Sequence, residues 1–205
     1  MSSFVADAIE GRATFEALVG AVGALRPRAE IVLAEAPAPR RLAPHALAVT
    51  AEVGDDENPI GDGRLVLLHD PAGREGWQGH WRVVVFATAE LESEMAADPV
   101  LVDVGWTWLE ESLGEKDLTV AAFGGTVTRT NARSFGTLAE RDDEGQLEVR
   151  ASWTALVEMD NPSRTHRGDV EILLAHVRAW IDLMATMAGL APQQEGVAHL
   201  QRRPG

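Results

Sequence analysis

Strand patterns follow one another closely in the middle of the chain, and this succession constrains the fold most. At residues 47–53, larger apolar residues alternate with small or polar ones, which is the period of a strand with one buried face. Continuous apolar runs at 65–68 and 83–86 are typical of central strands. Further strands are predicted at 118–128 and 147–154. Because consecutive strands joined by short connections pair antiparallel, we expect an antiparallel sheet.

Three other segments have apolar residues at helical spacing. The first is residues 13–25, where Thr14 is a candidate N-cap. The second is residues 98–114, which begin with an Asp-Pro pair suited to a first turn. The third is residues 169–189, which end on a glycine. These segments are predicted to be the three main helices of the protein.

Together these elements predict a two-layer α+β domain, with an antiparallel sheet and three main helices in the order helix–strands–helix–strands–helix. The domain is expected to span residues 1–192. The last residues, 193–205, are predicted to be a loosely ordered tail.

The composition excludes several classes of protein. A formal net charge of −14 and the lack of a Lys/Arg cluster argue against direct nucleic-acid binding. The chain contains no cysteine, which excludes disulfides, thiolate catalysis and cysteine-ligated metals. The most apolar helical segment, 169–189, carries charged residues that argue against a membrane span. Because the first residues lack the pattern of a secretory signal, the predicted location is the cytoplasm.

Common catalytic and cofactor motifs are absent from the sequence. We find no phosphate-binding loop, dinucleotide fingerprint, zinc-protease motif or nucleophile elbow. The acidic stretch at 55–63 resembles the start of a calcium-binding loop. Counted from Asp56, however, such a loop would have Ile60 and Leu67 at positions that need oxygen ligands, so a polar loop is the better interpretation. No cofactor, metal site or catalytic residue is therefore predicted.

The segment 69–81 is the strongest candidate for a site, because it joins two predicted strands as a glycine-rich hairpin loop. The candidate ligand- or partner-binding residues are His69, Asp70, Arg74, Trp77, His80 and Trp81. In this interpretation the two histidines lie close together, one is oriented by the aspartate, and the arginine meets an anion. The alternative is simple turn chemistry, since Asp-Pro-x-Gly favours a turn by itself.

The last predicted helix is apolar on more than one side. One side carries Val170, Leu173, Leu174, Val177, Ile181 and Met184, and a second carries Ile172, Trp180, Leu183 and Met187. Such a helix must be buried, either inside its own domain or against another chain. We therefore predict a homodimer through 169–189, with intramolecular burial as the alternative.

Four runs of residues carry a resemblance to a known family. They are Leu42–Pro44, Leu67–Gly73, Asp98–Pro99 with Val104–Leu109, and Arg150–Thr154. In these runs, and over nearly its whole length, the chain is similar to an actinobacterial family catalogued as domain of unknown function 3000. The resemblance implies no activity, catalytic residue or cofactor.

The sequence favours a non-enzymatic cytoplasmic binding or protein-interaction domain, because catalytic signatures are absent and the charge is acidic. The alternative is a small-molecule enzyme with its site around 69–81. An enzyme is expected to bring these side chains together in a concave pocket, whereas a binding domain is expected to expose an apolar patch.

Overall fold

A six-stranded antiparallel sheet forms the framework of the protein, with strand order β1-β2-β3-β4-β6-β5. The structure is a computed structural model that describes residues 2–55, 58–157 and 166–191. The strands are β1 (Ile31–Ala36), β2 (His45–Asp55), β3 (Asn58–Arg74), β4 (Gly79–Leu91), β5 (Val120–Ala132) and β6 (Glu144–Ala155). The helices are α1 (Ser2–Gly23), α2 (Ser93–Ala97), α3 (Leu101–Gly114) and α4 (His166–Met187). The predicted α+β class, with an antiparallel sheet and three main helices, is confirmed.

The three long helices lie on one face of the sheet, which we call the covered face. There α4 packs against both α1 and α3 and against strands β3 and β4. The strand residues that point to these helices are buried, and in β6 they are the predicted set Leu147, Val149, Ala151 and Trp153. The opposite face, which we call the open face, is covered by no α-helix of the described residues.

The polar loop predicted at 55–63 is mostly strand, and this prediction was wrong. Pairing between β2 and β3 continues to Asp55 and Asn58, with Gly61 and Gly63 inside β3. A Cβ atom at Gly63 would lie 2.5 Å from the sulfur of Met184 on α4. Glycine at this position therefore lets the helix approach the sheet closely, a role that looks like loop composition in the sequence.

The first helix begins earlier than predicted. It starts at Ser2 rather than near residue 13, and Thr14 lies buried inside it rather than at its cap, donating its hydroxyl to the carbonyl of Glu10 at 3.1 Å. At the other end of the chain, α4 closes on Gly189, whose φ of 68° suits a glycine. The predicted tail at 193–205 falls outside the described residues.

Helix α4 is buried on several sides within the chain itself. Of the second apolar side, Trp180, Leu183 and Met187 are buried, while Ile172 is 39% exposed. The apolar surface for which the sequence predicts a partner copy is thus largely buried between the sheet, α1 and α3. None of the helices in the described ranges is long and apolar enough to cross a bilayer.

Candidate functional site

Two of the six predicted site residues lie in the core. His69 and Trp81 are cross-strand partners on β3 and β4, and only 1% and 3% of their surfaces are exposed. Their rings stack with centroids 4.0 Å apart. Helix α1 packs directly on the imidazole, since a Cβ atom at Gly11 would lie 2.5 Å from its Cε1 atom. These two residues therefore support the hairpin from the covered face.

The His69 imidazole is held in its neutral form. Its pKa is lowered to about 4, chiefly by burial and also by the neighbouring His45 and His80, against the opposing charge of Asp70. Its Nδ1 atom has no hydrogen-bond partner among the described residues. A buried neutral ring packed between aromatic neighbours and a helix is poorly placed to reach a substrate.

The remaining predicted residues form a tight turn at the surface. Asp70 accepts a hydrogen bond from Arg74 Nε at 2.8 Å and another from the amide of Ala72 at 3.1 Å. The Arg74 contact holds the pKa of the Asp70 carboxyl below its usual range. The Arg74 guanidinium carbon also lies 4.7 Å above the ring of Trp77. His80 Nδ1 lies 3.2 Å from the Asp70 carbonyl oxygen, so the carboxylate meets an arginine rather than either imidazole.

This turn lies against the open face of the sheet. The carbonyl of Trp77 accepts a hydrogen bond from the hydroxyl of Thr154, which points to the open face from β6. A Cβ atom at Gly79 would lie 2.7 Å from the methyl group of Thr154. The exposed end of the hairpin therefore borders the open face, next to a depression in that face.

The open face is organised in rows across the strands, because residues directly opposite each other in antiparallel strands point to the same side. The apolar row is Ala48, Val66, Val84, Ser152 and Gly124. On one side of it is the arginine row, Thr50, Arg64, Phe86, Arg150 and Thr126, followed by the acidic row, Glu52, Asp62, Thr88, Glu148 and Thr128. On the other side, towards the hairpin, is the row of Ala46, Leu68, Arg82, Thr154 and Ala121.

A depression of about 480 Å³, which we call the trough, lies over the apolar and arginine rows. Its lining includes Arg64, Val66, Val84, Phe86, Arg150 and Ser152, together with glycines of β5. A bulge interrupts the pairing of β5 with β6 between Ala121 and Gly124. A Cβ atom at Gly125 would lie 2.3 Å from the carbonyl oxygen of Arg150, and one at Gly124 would meet nothing within 4 Å. Gly125 thus allows β5 to approach β6 closely, and Gly124 leaves the trough free of a side chain there.

Arg82 holds a positive charge beside the trough. Its guanidinium donates to Ser152 Oγ at 2.6 Å, to Thr154 Oγ1 at 3.3 Å and to the bulged carbonyl of Ala122 at 2.9 Å. All three acceptors are uncharged, and burial lowers the pKa of the Arg82 guanidinium from its ordinary value. Within the described residues Arg82 has no acidic partner.

The two arginines of the arginine row differ in their partners. Arg150 pairs with Glu148, with Nε 2.7 Å from a carboxylate oxygen, and lies 5.2 Å above the ring of Phe86. Arg64 donates to the backbone carbonyl of Pro37 at 2.7 Å, and no carboxylate in the described part of the chain pairs with it. The trough is therefore lined by one neutralised and one unneutralised guanidinium.

One family model matches residues 12–198, and its description is protein of unknown function (DUF3000). The chain belongs to this family. The match confirms the resemblance predicted from the sequence, and it includes every residue of the trough. No curated protein matches the chain, and no solved structure does.

The sequence did not predict the trough, although it carried a signal for it. Residues 65–68 and 83–86 look like strands buried on both faces, and they do occupy the central strands β3 and β4. Three helices cover only one face of a six-stranded sheet, so Val66, Val84 and Phe86 point to the face that stays open. Such a surface can be recognised when a strand carries apolar residues on both sides but the chain has only enough helices to cover one face of the sheet.

Metal-ligating side chains do not cluster in the residues the structure describes: no group of three or more His, Asp or Glu residues is close enough to hold an ion there. The chemistry that the described surface offers is therefore apolar contact, hydroxyl groups and guanidinium charge.

Proposed function

We propose that this protein is a non-enzymatic binding protein that holds its ligand in the trough of the open face. The observation that carries the proposal is a depression lined by the apolar side chains of Val66, Val84 and Phe86 and flanked by arginines, on a protein of net charge −14. An apolar surface that the fold leaves uncovered costs solubility unless a ligand or partner uses it. The trough volume lies within the range of about 300–1,000 Å³ of small-molecule sites.

The exposed end of the hairpin supplies one border of the proposed binding surface. Asp70 and Arg74 hold the turn, and Trp77 and His80 are both half-buried. The turn is fixed beside the trough through Thr154 and Trp77. His69 and Trp81 take part only indirectly, by packing the strands beneath the turn.

An enzyme with its site at 69–81 is the rival, and the geometry favours it less. The Asp70 carboxylate is engaged by Arg74 and a backbone amide, so it does not activate an imidazole. The His69 ring lies under α1 and faces the helices, away from the turn that Trp77 occupies. The acidic charge supports a role without direct nucleic-acid contact, and we place the protein in the cytoplasm as part of the same proposal.

A homodimer through α4 stays a prediction. It would have to use the part of α4 that remains exposed, such as Ile172. Light scattering of the purified protein at high concentration tests it: a monomeric mass would contradict the dimer and leave the trough unaffected.

Binding of an uncharged fluorescent probe, phenylnaphthylamine, tests the proposed function. We expect saturable binding at one site per chain, and we expect Val84→Glu to abolish it, because the carboxylate would stand in the apolar row. Val100→Glu is the matched control, since Val100 is 56% exposed and precedes α3 away from the open face. Equal binding by both variants, or no binding by the wild type, would contradict the proposal.

A further inference from the structure

We propose that the trough selects organic acids that carry one negative charge, with the acid group at Arg64 and an apolar body laid across the strands. This inference rests on the proposed function and names its ligand class. Three features of the open face lead to it: the free charge of the arginine row, the length of the apolar row and the position of the acidic row.

The unneutralised charge of Arg64 provides a partner for an acid group. A carboxylate or sulfonate that enters the trough meets Arg64, whose hydrogen-bond partner is the uncharged Pro37 carbonyl. Arg150 contributes less, because Glu148 already accepts two hydrogen bonds from its guanidinium, at 2.7 and 3.2 Å. A guanidinium that lacks an acidic partner and lines an apolar depression is suited to a charge-assisted bond with a carboxylate.

The apolar row sets the size of the body. From Val66 through Val84 and Ser152 to Gly124 it crosses four adjacent strands. With neighbouring strands about 4.8 Å apart, the row extends roughly 14 Å. A fused aromatic ring system or a medium-length alkyl chain matches this length, and its end would reach the open wall left by Gly124.

The acidic row limits the charge of the ligand. Glu52 and Asp62 point to the same face as the arginine row, two residues further along β2 and β3, while the third carboxylate of the acidic row, Glu148, is paired with Arg150. A ligand with several negative charges, such as a polyphosphate, would extend its charge over these carboxylates and be repelled. Arg82 lies on the opposite side and already donates to Ala122, Thr154 and Ser152, so fewer of its N–H groups are available to a ligand than those of Arg64.

The experiment compares two probes that differ in one acid group, anilinonaphthalene sulfonate and its uncharged parent phenylnaphthylamine. We expect the sulfonate to bind about 10-fold more tightly, the size of one charge-assisted hydrogen bond. In Arg64→Gln this preference should disappear, because the sulfonate loses its charged partner and its affinity falls to that of the uncharged probe for the same variant. In the control Arg12→Gln, which makes the same charge change on the exposed surface of α1, the preference should persist.

Thermal unfolding of each variant shows whether the fold is intact, since the sulfonate probe also binds partly unfolded chains. Equal affinity for both probes, or an equal loss in Arg64→Gln and Arg12→Gln, would overturn the inference and leave the proposed function standing. Failure of both probes to bind the folded wild type would overturn the proposed function as well.

Discussion

Neighbouring residues on one strand show how differently the two faces of the sheet are used. On β4, Val83 points to the covered face and is fully buried, while Val84 points to the open face and is 37% exposed. The two side chains are identical, and so are their strand and its neighbours. Their difference in exposure therefore comes from the helices, which cover one side of an otherwise two-sided apolar strand.

Polar groups follow the same division. On the covered face the two indoles donate inside the chain: Trp153 to His176 Nδ1 at 3.1 Å and Trp180 to the carbonyl of Phe86 at 3.2 Å. His69 Nδ1 and His176 Nε2 have no hydrogen-bond partner among the described residues, and burial keeps both rings neutral. On the open face, Arg64 and Arg82 bind only uncharged acceptors among the described residues and keep their charge unneutralised. The covered face thus stabilises the fold, while the open face presents guanidinium groups that have no acidic partner among the described residues.

Truncating the largest side chain of the covered face should have the largest effect on stability. Trp153 is completely buried, makes an edge-to-face contact with Phe123 and donates a hydrogen bond to His176. Trp153→Ala is expected to lower the free energy of unfolding by about 3–5 kcal/mol, through lost burial and the cavity left behind. Urea unfolding followed by fluorescence of the remaining tryptophans measures it. A loss under about 1 kcal/mol would show that the covered face is not the main core.

Lowering the pH should also destabilise the fold, through two buried histidines of the covered face. Burial lowers the pKa of both His69 and His176 to about 4, from an ordinary value of 6.5. Between these values the unfolded chain binds more protons than the folded one, so the contribution of these histidines is complete above about pH 6.5 and decreases as the pH falls towards 4. As the pH falls through that window, each histidine should lower the free energy of unfolding by about 1.4 kcal/mol per pH unit, or by about 2 kcal/mol in total at pH 5.

Unfolding curves at several pH values test this, with the non-titrating variants His69→Gln and His176→Gln for comparison. Each substitution should reduce the slope of stability against pH below 6.5, whatever it does to stability at pH 7. An unchanged slope in both variants would mean that these imidazoles titrate normally in the folded protein.

The matched pair on β4 sharpens the comparison directly. Val83→Ala removes two buried methyl groups and should cost about 1.5 kcal/mol or somewhat more, whereas Val84→Ala should cost less than about 0.5 kcal/mol. For binding of phenylnaphthylamine in the trough, the order should reverse, with Val84→Ala weakening it and Val83→Ala leaving it intact. Equal stability losses would mean that the open face is covered in solution.

The smallest expected effect concerns Trp77. This residue is half-buried, and its described ring contact is with the Arg74 guanidinium. Trp77→Ala should therefore shift the free energy of unfolding by about 0.5 kcal/mol or less, far below the loss in Trp153→Ala. Thermal melts of the two variants beside wild type measure the contrast. A large loss of stability would assign Trp77 to the fold rather than to the binding surface.

Local patterns predicted the elements well where burial on one side decides them. The alternation at 147–154 correctly placed Leu147 and Trp153 on the buried face, and the apolar runs correctly indicated central strands. The same patterns failed at Gly63, because its role depends on Met184, a residue far away in the chain. They also failed to separate His69 from Asp70, adjacent residues of which one is packed under α1 and the other holds a surface turn.

The sequence by itself determined that the chain forms an α+β fold with an antiparallel sheet and three main helices, because the periods of 2 and 3.6 residues are local properties of the backbone. It also determined the acidic charge and the family resemblance. Only the tertiary structure decided which face the helices cover, and therefore that Val83 is core while Val84 lines a trough. It also brought Arg64, Phe86 and Arg150 into one row, since cross-strand register joins residues that no local pattern connects.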